Sequence, residues 1–202
     1  MSMDLLQLRK NLRQQRRRLS PFQQRQAEHN VWGQLKQLPE FKHAQKIGIY
    51  LHAFGELQTD HIIKTCFQRA KQVYLPIICP MNQKLRWVRI SAQQYRNRRF
   101  HNHRLGMQEP RASRSEHVTN LDLLLLPLLA CDKFGTRIGM GGGYYDRTLA
   151  DAPQQPLRVG LAHDFQYLVQ PLQRNAWDQP LDQLITPAQH HRFKRILMKK
   201  VH

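Results

Sequence analysis

A run of leucines that feeds a glycine-rich loop constrains this chain more than any other feature. Leu123 to Leu129 is apolar, broken only by Pro127, and Arg137 to Arg147 reads R-I-G-M-G-G-G-Y-Y-D-R. A strand running into a glycine-dense turn, with a helix opening behind it, leaves backbone N–H groups free at the positive end of a helix dipole. Such a cradle suits phosphate. Glycine is needed because a Cβ would hold an oxyanion off the backbone or forbid the positive φ angles that aim the amides inward. Tyr144, Tyr145 and Asp146 add two aromatic faces and a carboxylate at the mouth of the loop. The combination asks for a nucleotide or an aromatic substrate, with a metal ion between carboxylate and phosphate. No Lys-Ser or Lys-Thr follows the glycines, so the loop is not a Walker A. It also fits the dinucleotide fingerprint poorly, since that motif sits early in its fold with an acid about 20 residues on.

The rest of the chain alternates helical and β-rich segments. Leu5, Leu8 and Leu12 recur at helical spacing, with Arg9, Lys10, Arg13, Arg16 and Arg17 on the other faces. Ser20-Pro21-Phe22-Gln23 reads as a capped start to a second helix, which carries Val31, Leu35 and Leu38 inward and stops at Pro39. Strands are expected at Lys46 to Leu51, Val73 to Ile78, Leu85 to Ile90, Leu157 to Ala162 and Leu184 to Thr186. Pro76 and Pro80 suggest that the second of these is an edge or ends early. Thr59 can cap a helix whose inner face is Ile62, Ile63, Cys66, Phe67 and Ala70, and the glycine loop opens a further helix that ends near Ala150. Ser91 to Asn120 is polar and reads as a loop with little regular structure. The alternation predicts an α/β fold: a three-layer α/β/α sandwich with a Rossmann-like open, mainly parallel sheet. One domain over residues 1–187 is expected, followed by a basic tail over 188–202 with a short amphipathic helix within His190 to His202.

Charge and cysteine content bound the function classes. Thirty-two Lys and Arg against 14 Asp and Glu give a formal net charge of +18. That field draws polyanions such as nucleic acid, nucleotides or polyglutamylated cofactors. The basic residues are spread along the chain without an aromatic RNA-binding signature, so a solvated basic surface accounts for them at least as well, and nucleic acid is an admissible partner, not a required one. Three cysteines without a C-x-x-C fit buried thiols in a reducing cytosol. No apolar run approaches the roughly 20 residues of a membrane span, and the N-terminus lacks a signal-peptide pattern, so a cytoplasmic protein is expected. A monomer is the default, since nothing in the sequence reports on oligomeric state.

Among the scarce acids, Asp146 either stabilises the first turn of a helix or, beside a phosphate cradle, ligates magnesium; the second is favoured. Asp132 caps the turn at Gly135. Asp178 and Asp182 fit turn capping and metal binding equally, and Glu56 is a surface turn by default. His190, His191, His101 and His103 lack further ligands at zinc spacing. No nucleophilic triad is evident from spacing.

The segment from Asp122 to Leu149, D-L-L-L-L-P-L-L-A-C-D-K-F-G-T-R-I-G-M-G-G-G-Y-Y-D-R-T-L, resembles the signature of the 5-formyltetrahydrofolate cyclo-ligase (methenyltetrahydrofolate synthetase) family. R-R-x-L-S-P, E-L-Q-T, V-Y-L-P, G-M-Q-E-P, V-G-L-A-H-D-F-Q and W-D-Q-P-L-D-Q-L-I-T agree in order and spacing up to about Pro187. The resemblance implies an ATP- and Mg²⁺-dependent ring closure that gives 5,10-methenyltetrahydrofolate, ADP and phosphate through a phosphorylated formyl group. It implies that Arg137, Ile138, Gly139, Met140, Gly141, Gly142, Gly143, Tyr144 and Tyr145 hold ATP, with Arg9 and Lys10 reaching it from the first helix. It places Leu51, Glu56 and the segment Met140 to Tyr144 against the folate, with or without a polyglutamate tail. Asp146 and Asp182 are the implied Mg²⁺ ligands, and Arg137, Tyr144 and Asp146 the implied catalytic residues. Two departures stand out. Many relatives carry a lysine where this chain has Leu5, and some carry a basic residue where it has Gly142, which shifts charge onto Arg137 and Arg147.

Overall fold

Leu123–Pro127 is the central strand of the computed structural model, and its four leucines are buried on both faces. Leu123 and Leu125 enter one core and Leu124 and Leu126 the other, as expected of a strand inside a parallel sheet. Each such side chain contributes about 2 kcal/mol of burial, which is why this apolar run sits at the middle of the molecule.

The structure describes residues 4–103, 105–111 and 114–194. In order they form α1 (Leu5–Arg18), α2 (Pro21–Leu35), α3 (Pro39–His43), β1 (Lys46–Gly48), α4 (Asp60–Gln68), β2 (Gln72–Ile78), β3 (Leu85–Ile90), α5 (Ala92–Arg96), β4 (Phe100–Asn102), β5 (Gln108–Pro110), β6 (Leu123–Pro127), β7 (Ala130–Asp132), β8 (Arg137–Ile138), α6 (Tyr144–Leu149), β9 (Leu157–Leu161), β10 (Tyr167–Leu168), β11 (Gln183–Ile185) and β12 (His190–Arg192). The main sheet runs β12-β11-β9-β6-β1-β2-β3. The pairs from β11 through to β2 are parallel, and the two outer pairs are antiparallel. One face is covered by Val31, Leu35, Phe41, Ile62, Ile63 and Cys66 from α2, α3 and α4. The other carries a thinner layer built on Leu149 of α6 with Leu121 and Leu181. This is the open α/β sandwich. No helix among the described residues is long and apolar enough to cross a membrane.

The glycine loop hangs from a second sheet, ordered β10-β7-β8. The chain does not pass straight from the leucine strand into the loop, as the sequence suggests. It turns first through the β7–β8 hairpin, where Asp132 Oδ1 accepts the N–H groups of Phe134 (2.9 Å) and Thr136 (2.8 Å). Its Oδ2 accepts that of Leu172 at 2.9 Å, so Asp132 is the turn cap expected of it.

Several local expectations change. Ser20 caps α2 with a complete capping box. Thr59, by contrast, makes no side-chain cap; its hydroxyl donates to Tyr50 O at 2.8 Å. Ala70 lies beyond α4, exposed and at φ 56°. β2 is an interior strand, because Pro76 falls past the last residue paired with β1 and needs no ladder bond there. Ser91 to Asn120 is not a bare loop: Ser91 caps α5, whose Tyr95 packs on Phe67 and Phe100, and β4 and β5 form a hairpin. The tail enters the sheet as β12 and is not helical over His190–Arg192; residues 195–202 lie outside the described residues.

Candidate active site

Helix α1 supplies the first side of the site through a stripe of mixed chemistry. Leu5, Leu8, Arg9, Leu12 and Arg16 fall on one face at spacings of three and four residues. Leu12 packs into a small core with Leu129, Ala130 and Ile138, with Leu5 and Leu8 against it. Arg9 Nε donates to Gly139 O at 3.3 Å, which ties the helix to the glycine loop. Lys10, a step around the helix, is exposed and makes no side-chain hydrogen bond or ion pair among the described residues. Arg13 Nε bonds back to Arg9 O (3.3 Å) within the helix. The position of Leu5 is thus apolar packing, and Arg9 carries the α1 hydrogen bond to the loop backbone.

The loop itself is a run of backbone donors left out of the internal hydrogen-bond network. The N–H groups of Gly139, Met140, Gly141, Gly142 and Gly143 have no acceptor among the described residues. Gly141 stands at φ 104°, a conformation side chains rarely adopt, while a Cβ on Gly142 would lie 2.5 Å from the Tyr144 ring. Beside the amides, Arg137 is buried, with its guanidinium 5.6 Å from the centre of the Tyr145 ring. Its Nη2 donates to Asp146 Oδ1 (2.7 Å), and its buried Nε has no partner among the described residues. Gln179 N–H also donates to Asp146 Oδ1, at 3.1 Å. Arg147 folds over the ring of Tyr144 and donates to Gly142 O at 2.6 Å.

The third side is the segment after β1. Glu56 Oε2 accepts the Ala53 N–H at 3.1 Å, and Oε1 lies 3.8 Å from Arg16 Nη1. The Glu56 side chain is 13% exposed and that of Arg16 1%. Burial pushes the Glu56 carboxyl up to about 7, against the pull of Arg16 and the Ala53 N–H. Burial also raises the phenols of Tyr50 and Tyr145, and Glu56 adds to both. Leu51 packs half-buried on the adjoining core. His163, after β9, sits under this segment with its Nε2 3.3 Å from Gly55 O, stacked on Phe165. Arg16 closes the arrangement: its Nη2 is 3.8 Å from Met140 Sδ, so one side chain touches both the glycine loop and the Glu56 segment.

A buried acid, two buried arginines and a row of free amides in one place suit the binding of two anionic, hydrogen-bonding substrates and transfer between them. Residues 2–187 match the model of the 5-formyltetrahydrofolate cyclo-ligase family. The chain belongs to that family. It is accordingly an enzyme of the ligase class. It is similar to the 5-formyltetrahydrofolate cyclo-ligase of Escherichia coli (strain K12), at 34% identity over 88% of this chain and 97% of the relative. It is similar to that of Haemophilus influenzae at 34% identity over 87% and 93%. The solved 5,10-methenyltetrahydrofolate synthetase of Aquifex aeolicus superposes with a TM-score of 0.79 at 30% identity, covering 97% of both chains.

Within this family frame the structure brings together Arg9, Arg137 to Tyr145, Asp146 and Glu56, with Leu51 at the margin. Asp182 stands at the start of β11, its Oδ2 accepting Arg158 N–H at 2.8 Å. No group of three or more His, Cys, Asp or Glu that could hold a metal occurs among the described residues. Grouped with the other basic residues of α1, Arg16 reads as an outer-face cation, and the residues around His163 assign it no role. The i, i+7 relation of Arg9 to Arg16 was the available signal for the first; for His163 the sequence offered none beyond its family segment.

Proposed function

We propose that this enzyme closes the imidazoline ring of 5-formyltetrahydrofolate at the expense of ATP, giving 5,10-methenyltetrahydrofolate, ADP and phosphate. The observation that carries the ATP half is the run of five consecutive amides, Gly139 to Gly143, without an acceptor among the described residues, beside a buried arginine whose Nε has none among them either. A buried donor without an acceptor costs stability, which applies to Arg137 Nε; the loop amides lie at exposed or half-exposed residues, open to incoming phosphate oxygens. Arg9 reaches the same loop. Asp146 would hold magnesium, which takes one or two carboxylates and completes its shell with water and phosphate; Asp182 is the second expected carboxylate. When bound, the ion neutralises charge on the phosphates.

On this reading Glu56 accepts hydrogen bonds from the donor-rich edge of the pterin, while Leu51, Met140 and Tyr144 line the folate. The formyl oxygen attacks the γ-phosphorus and ADP leaves. N10 then adds to the activated formyl carbon and loses its proton, and phosphate departs with the former formyl oxygen. Such a transfer needs positioning and charge stabilisation more than a covalent protein group. Arg137 and the amides provide both, and Tyr144 walls the junction between the two substrates. The enzyme is read as a cytoplasmic monomer, with a basic surface suited to folates that carry anionic tails.

The test is direct. Purified protein mixed with 5-formyltetrahydrofolate, ATP and Mg²⁺ should generate the near-ultraviolet absorption of the methenyl product together with one ADP per turnover. Folded protein that yields neither in the presence of active folate and metal overturns the reading.

A further inference from the structure

Arg16 is a cation with too little to do. Its side chain is 1% exposed, its Nε has no partner among the described residues, and its nearest acceptor is Leu128 O, 3.4 Å from Nη1. Among the described residues its only acidic neighbour is Glu56, 3.8 Å away, and the remaining polar contact is the sulfur of Met140. Burying a guanidinium on such terms is expensive for a group with purely structural duties. The backbone is committed too: a Cβ on Gly55, at φ 74°, would fall 2.7 Å from Arg16 O, so the segment that carries Glu56 rests directly on this residue.

We propose that Arg16 is the positioning residue of the folate site, holding the Glu56 carboxylate ionised and aimed at the donor edge of the pterin. The proposal rests on the folate reading of Glu56 given above and adds the residue on which that role depends. The other titratable groups around Glu56 are the phenols of Tyr50 and Tyr145, which are neutral at physiological pH and offer no positive charge. His163, below the same segment, faces Gly55 O, and burial holds its imidazole down to about 4, so it too is uncharged. His52 faces Asp60. Among the described residues Arg16 is therefore the one fixed cation set against the burial that favours a protonated Glu56. A protonated carboxyl would present a donor where the pterin edge also presents donors, so binding follows ionisation.

The experiment measures equilibrium binding of 5-formyltetrahydrofolate from about pH 6 to about pH 9. It uses wild type, Arg16→Gln, Arg16→Lys, Glu56→Gln and the double variant Arg16→Gln/Glu56→Gln, each checked by thermal melt. Wild type should lose affinity as Glu56 protonates. Arg16→Gln should move that acid limb up by about one pH unit or more, a tenfold loss of affinity below the limb, and Arg16→Lys should restore it. Glu56→Gln should bind weakly with no acid limb, and adding Arg16→Gln to it should change nothing further. An Arg16→Gln protein that is folded and keeps the wild-type limb overturns the proposal, since a packing role would lower stability without moving a pH profile. If Arg16→Gln does not fold, Arg16→Met, which keeps an apolar stem without the charge, decides: a limb displaced upward by about a unit upholds the assignment, and an unmoved one overturns it. Wild type that binds no folate at any pH would instead sink the folate reading itself.

Discussion

Arg137 Nη2 and Asp146 Oδ1 lie 2.7 Å apart, so the cation and the carboxylate assigned to ATP and its metal neutralise each other before either substrate arrives. The pair is preformed and nearly dry on the arginine side, at 3% exposure against 24% for the acid. Phosphate would compete for the guanidinium while a metal ion competes for the carboxylate, so nucleotide and metal should exchange into the site together.

Asp146→Asn should therefore abolish most metal-dependent turnover, by a factor on the order of 10² or more, as for other lost electrostatic groups at a reacting centre. The fold should survive, because the amide can still accept from Gln179 N–H. Initial rates against Mg²⁺ concentration, alongside a melting curve, check both halves; unchanged turnover removes Asp146 from the site.

Arg9→Ala should raise KM for ATP about tenfold, the worth of one charge-assisted contact, and leave KM for the folate within about twofold. The contrast arises because Arg9 touches Gly139 O and no part of the Glu56 segment. Equal effects on both substrates would place its role in α1 packing instead.

Asp132→Ala tests structure apart from chemistry. The buried carboxylate satisfies three backbone N–H groups, those of Phe134, Thr136 and Leu172. Losing it should cost on the order of 3 kcal/mol or more in urea unfolding. The protein that remains folded should keep its KM values.

His163 sets a pH dependence of stability. Burial lowers its imidazole from 6.5 to about 4, so in that interval the unfolded chain binds the proton and the folded chain does not. Stability is present above 6.5 and is lost as pH falls toward 4, by about 2 kcal/mol between pH 7 and pH 5. His163→Gln should flatten that part of the profile in urea titrations at the two pH values; an undiminished slope assigns it to other groups.

Much of the architecture is written in short-range pattern. The leucine strand, the capping box at Ser20 and the Asp132 turn announce themselves because each is a local solution to burial or to an unpaired N–H. What escaped is decided at a distance. Arg16 is coded like its neighbours Arg17 and Arg18, and only the packing of Gly55 and Leu128 makes it an interior cation. Tyr95 and Phe100 order the stretch after Ser91, yet two aromatics among arginines leave no periodic trace. The glycine loop was legible as a turn dense in backbone donors. Glu56, read from its neighbours alone, is a surface turn, and only the family resemblance set it against folate. Its character comes from burial, which residue order does not express.

The last strand has a consequence beyond the sheet it borders. β12 pairs with β11, its His191 stacks on Tyr167 of the smaller sheet, and Phe193 lies under Gly135, in the turn between β7 and β8. The family match stops at residue 187, so a chain trimmed there by homology would lose the buttress that seats the glycine loop's own hairpin. The seating of that hairpin thus extends into residues that a domain boundary would discard.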